Sequence, residues 1–117
     1  MRREVAVLLT RAPYGRVHVP EGMRAARGVA AGFDRHAVTV VFTEDGVYAA
    51  RGAVDREVLD LPGHIADLDD EDGRMVADRE ALAAHDIEDS EIAGDIEVVS
   101  GETVARIIQN ADHTLDF

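Results

Sequence analysis

The chain has 117 residues, of which 46% are hydrophobic, and it has no cysteine. Disulfides, thiolate metal sites, persulfide chemistry and a cysteine nucleophile are thereby excluded. The formal net charge is -12, and so acidic a surface repels phosphate backbones, which argues against direct nucleic-acid binding.

The length suits one compact domain over residues 1–117. All 12 basic residues are arginine. Many acids with no lysine fit a salt-saturated cytoplasm, where the Debye length falls to ~3 Å and carboxylate repulsion costs little. A haloarchaeal host and a cytoplasmic location are expected. No apolar run approaches the ~20 residues that span a bilayer, so no membrane partner is expected.

Glu4–Thr10, EVAVLLT, is a continuous apolar run and predicts a strand buried on both faces. A turn follows at Pro13 and Gly15. Pro20 is suited to open a helix, with Glu21 in its first turn. Met23, Ala26, Val29, Ala30 and Phe33 form the apolar face of that helix. Ala37–Thr43, AVTVVFT, is the strongest strand signal, being rich in β-branched residues. A strand–helix–strand unit of this length implies parallel pairing with a right-handed crossover. Glu44-Asp45-Gly46 reads as a turn and Val47–Arg51 as a short helix.

The middle is less regular. Val54, Val58, Leu59 and Leu61 suggest a short helix before Pro62, and residues 67–73, DLDDEDG, suggest a polar loop. Arg74–Asp78 predicts a third strand, Arg79–His85 a helix, and Asp95–Val99 a fourth strand. Ser100 is a good N-cap for a last helix, with Glu102 in its first turn and Val104, Ile107, Ile108 and Ala111 on its apolar stripe. His113–Phe117 closes the sheet as a fifth strand. The expected fold is three-layer α/β, a mainly parallel sheet of about five strands with helices on both faces.

Ligands of open parallel sheets sit beyond the carboxyl ends of the strands. The side chains expected on that rim are Arg11, Tyr14, Glu44, Asp45, Asp78, Arg79 and Ser100. No local motif selects a reaction among them. The acidic run DLDDEDG fails the EF-hand register, because setting Gly73 at the sixth position places Leu68 at the first and Arg79 at the twelfth. The five histidines show no HxH or HExxH spacing, so no metal site is expected, although His18 and His64 can meet in space. Ser90 and Ser100 are the only serines and neither lies in GxSxG. Neither a nucleotide nor another cofactor is implied.

Three segments together resemble the DsrE/DsrF superfamily, nearest its TusC/DsrF branch. They are VAVLLTRAPYG at 5–15, VVFTEDGVYAA at 40–50 and SGETVARIIQNADHTLDF at 100–117. The resemblance implies homo- or hetero-oligomers with other DsrE-family subunits, and a sulfur relay serving tRNA thiolation or sulfur metabolism. The relay cysteine of TusD/DsrE-type subunits lies at the end of the third strand, where the matching segment here, MVADREALAAHDI, carries Asp78, give or take one residue. Aspartate carries no persulfide, so direct sulfur transfer is not expected. The resemblance therefore implies a noncatalytic subunit of a relay complex, or alternatively a stand-alone homo-oligomeric DsrE-like protein that binds a small ligand. An enzyme built on Asp78, Asp45 or a histidine has the least support, since no paired acid and base emerge.

Overall fold

A computed structural model describes residues 2–15, 17–32 and 35–117. The chain runs β1 (Glu4–Leu9), α1 (His18–Ala31), β2 (Ala37–Phe42), a 3₁₀ helix (Glu44–Ala50), α2 (Pro62–Asp70), β3 (Arg74–Asp78), α3 (Arg79–Ala84), a short 3₁₀ turn (Asp89–Glu91), β4 (Glu97–Val99), α4 (Gly101–Asn110) and β5 (His113–Asp116). The five strands form one sheet in the order β4-β3-β2-β1-β5. Every pairing is parallel. This is the α/β fold expected from the sequence.

Side chains alternate along each strand, so the sheet has two apolar faces. Val5, Val7 and Leu9 of β1 join Val38, Val40 and Phe42 of β2 in one cluster, with Val19, Met23, Ala26 and Ala30 of α1 and Leu68 of α2. Val41 and Val76 point the other way and pack with Val99 and Val104, with Leu8 and Ile107 at the edge of that group. The crossovers from β1 through β4 advance in one direction, whereas α4 leads back to β5 on the far side of β1. Right-handed crossovers of opposite direction must lie on opposite faces, and the division into two clusters follows.

Four local expectations differ. The turn expected at Glu44-Asp45-Gly46 is itself the start of the 3₁₀ helix, which runs Glu44–Ala50 and leaves Arg51 extended beyond its end. The first helix opens at His18 rather than Pro20, so the proline lies within its first turn, where a missing N–H costs nothing. The apolar face holds at Met23, Ala26, Val29 and Ala30, and Phe33 lies outside the described residues. Residues 54–61 are turns, Val58 is 79% exposed, and the helix begins at Pro62 instead. Pro62 supplies the preset φ of a first helical position. The helix then runs to Asp70, so the first half of DLDDEDG is its last turn rather than loop. Burial of Leu68 draws that turn into the core. Asp72 follows with φ of 60°, one of several aspartates in left-handed turns beside Asp60 and Asp86. A short polar side chain tolerates that conformation best after glycine.

Two contacts lock the loops. Gly46 lies so close to β1 that an added Cβ would stand 1.8 Å from the Leu9 carbonyl oxygen. Arg56 donates two hydrogen bonds to Asp95, both of 2.7 Å, joining the 52–60 turns to the segment before β4. Hydrogen bonding from Arg56 holds the Asp95 carboxyl below its ordinary range, partly offset by burial.

Gly46→Ala is expected to cost about 3 kcal/mol or more, measurable by denaturant unfolding, because the clash is with backbone that cannot step aside. Asp95 has its folded pKa below its unfolded one, so its contribution is present above the unfolded pKa and is lost as pH falls through the folded one. The stability gap between the native chain and Asp95→Asn should therefore be constant at neutral pH and shrink as the pH falls below the ordinary carboxylate range, as followed by thermal melts across pH.

Candidate functional site

Parallel pairing brings the carboxyl ends of β1, β2 and β3 side by side, and the structure sorts six of the seven expected rim residues into three groups, while Glu44 only opens the 3₁₀ helix, exposed and with φ of 49°. Asp78 and Ser100 are helix caps. The Asp78 carboxylate accepts from the Glu80 backbone N–H at 3.0 Å and from the Thr43 hydroxyl at 2.9 Å. It thereby caps α3 and ties the end of β3 to the end of β2. Ser100 accepts from the Thr103 N–H at 3.1 Å at the start of α4. The Glu80 carboxylate packs against Gly101, where an added Cβ would stand 2.3 Å from its Oε2. The two helix N-termini are thus neighbours.

Arg79 and Arg11 stand apart from the rest. Arg79 turns to Asp89, with its Nε 3.1 Å from Oδ2 on the exposed surface. Arg11 is exposed and makes no hydrogen bond or ion pair among the described residues.

Tyr14 and Asp45 are joined through three residues the sequence did not single out as site residues: Tyr48, Arg51 and His85. Asp45 Oδ1 lies 3.2 Å from His85 Nε2. His85 Nδ1 lies 3.2 Å from the Tyr48 hydroxyl, with the two rings 4.9 Å apart. A carboxylate only accepts, so with a neutral ring Nε2 carries the proton and Nδ1 accepts from the phenol. The Arg51 guanidinium lies 5.2 Å from the Tyr48 ring centre and 5.9 Å from that of Tyr14. Its Nε donates to the Tyr48 carbonyl at 2.9 Å and a terminal nitrogen donates to the Tyr14 hydroxyl. Local structure explains the arrangement. Tyr48 is on the 3₁₀ helix after β2, Arg51 follows its end, and His85 closes α3 after β3. Adjacent parallel strands deliver both connections to one place, although 37 residues separate Tyr48 from His85. A histidine ending the helix after one strand and a tyrosine in the helix after its neighbour was the available signal.

Beside Tyr14 is a shallow, mostly apolar cleft of about 640 Å³, lined also by Val17, His18, Val58 and Leu59. His18 Nδ1 is buried there without a hydrogen-bond partner. His64 contacts Arg27 rather than His18. A more enclosed cavity of about 370 Å³, between α2 and the Arg56–Asp95 pair, lies at the amino end of β3, away from the rim. Among the described residues no three His, Asp or Glu side chains gather in a way that holds a metal ion, and no helix is long and apolar enough to cross a membrane.

A five-stranded parallel sheet with its polar groups on the carboxyl rim defines the chain as an α/β protein of the small, open-sheet class. It belongs to the DsrE/DsrF-like family, which matches over residues 3–117. Its fold is similar to that of the ychN protein from E. coli, with a TM-score of 0.81 and 18% identity over 100% of both chains. It is similar as well to MTH1491, a protein of unknown function from Methanobacterium thermoautotrophicum, with a TM-score of 0.74 and 18% identity over 97% of each. No curated protein matches by sequence.

Asp78→Ala removes a cap and the bond to Thr43, and should lower stability by about 1–2 kcal/mol in denaturant unfolding. Asp78→Asn keeps an accepting oxygen for the Glu80 N–H and should lose well under half of that.

Proposed function

We propose that the chain is a noncatalytic, single-domain subunit of a cytoplasmic sulfur-relay assembly of the TusC/DsrF type, in a salt-adapted host. One observation carries this reading. At the end of β3, where the resemblance implies the sulfur-carrying thiol of a relay subunit, stands Asp78, with one carboxylate oxygen bonded to a backbone N–H and the other to Thr43. Sulfur hand-off requires a thiolate, and the chain has no cysteine. What remains for it within a relay is to position a thiol-bearing partner and shape the space around it. DsrE/DsrF-like membership supports a place in sulfur-relay chemistry. The onward route, to tRNA thiolation or to sulfur metabolism, belongs to the same proposal. The alternative is a stand-alone homo-oligomer that binds a small ligand.

Purification from the native cytoplasm at high salt separates the two. The relay reading expects a stable complex with a cysteine-bearing DsrE-family subunit that takes up labelled sulfane sulfur, with no label on this chain. Recovery as a pure homo-oligomer would sink that reading and favour the alternative.

A further inference from the structure

Carboxylates outnumber guanidinium groups two to one, 24 against 12, so a part-buried arginine is expected to hold one. Only Arg51 and Arg56 are part-buried among the described arginines. Arg56 is clamped to Asp95, whereas Arg51 has no carboxylate partner among the described residues. It rests instead against two phenol rings and holds a backbone carbonyl and the Tyr14 hydroxyl. Those contacts are neutral, so they orient the charge without cancelling it. The remaining N–H groups are left for an incoming acceptor.

We propose that Arg51, with the hydroxyl of Tyr14 beside it, is a binding site for a small inorganic oxyanion on the carboxyl rim of the sheet. A planar guanidinium matches the paired oxygens of such an anion. The Tyr14 hydroxyl accepts from Arg51 and so keeps its own proton to donate. The site is held in shape before any ligand arrives. Arg51 forms a backbone bridge to Ile92, flanked by hydrogen bonds from Gly52 N–H to Glu91 and from Ala93 N–H to Ala50. Asp45 is the carboxylate of this array, and it lies on the opposite side of the His85 ring from Tyr48, bonded to Nε2. The site holds under either reading of the function, because it requires no partner chain.

The chain has two tyrosines and no tryptophan, and both tyrosines contact Arg51. Tyrosine emission therefore reports on this site directly. The full chain is titrated with thiosulfate and, separately, with inorganic phosphate, each against potassium chloride at equal ionic strength. A saturable change in emission is expected with at least one of them, and the two arms tell a sulfur oxyanion from phosphate. Arg51→Gln should weaken binding about ten-fold or more, and Arg51→Lys should fall between, keeping the charge but losing the fork. Tyr14→Phe, at a side chain 63% exposed, leaves Tyr48 as reporter and should weaken binding several-fold without lowering the melting temperature. Should Arg51→Gln fail to fold, the lysine and phenylalanine variants decide. No saturable change in the native chain, or titrations unaltered by these substitutions, would overturn the site.

Discussion

Parallel strand pairing is the constraint on which the rest of this molecule depends. Strands that run the same way cannot be joined by tight turns, so each connection must cross the sheet and return. With β1, β2 and β3 in register, every carboxyl end opens onto the same rim. The connections leaving that rim begin with polar residues, because helix starts need caps and tight turns need short polar side chains. Asp78, Ser100 and the 3₁₀ helix after β2 are consequences of this geometry before they are anything functional.

The rim divides its polar groups between structure and recognition. Asp78 has an acceptor role on each oxygen, and its link to Thr43 fastens two neighbouring strands. A carboxylate occupied in this way has little left for a ligand. The Arg51 array is different in kind, since its charge is surrounded by aromatic faces and neutral acceptors. Cation–π contact holds a guanidinium in place while leaving its field uncancelled. In a chain of net charge -12, loose accumulation of anions is disfavoured, so a directed cation is what an anion would need to settle here.

The many acids have several mundane explanations. Asp60, Asp72 and Asp86 occupy left-handed turns. Asp67 pairs with Arg27 across α1 and α2 at 2.7 Å, and Asp95 anchors Arg56. The run that resembled a cation loop is half helix end and half turn. The acidity that dominates the composition therefore marks surface and turn chemistry more than a site.

Sequence patterning determined the sheet and most of its helices. Continuous apolar runs marked β1 and β2, Arg74–Asp78 was legible to the residue as β3, and Ser100 was legible as a cap, because burial and capping act over a few neighbouring positions. The lack of cysteine likewise settled, without any structure, that the chain cannot carry persulfide. Irregular stretches were less legible, since the turns at 54–61 have no period to detect and Leu68 reveals its helix only by being buried. The meeting of Asp45, His85, Tyr48, Arg51 and Tyr14 was decided by tertiary structure alone. Proximity there comes from the adjacency of β1, β2 and β3, and one strand's local sequence carries no record of what its neighbours bring to the shared edge.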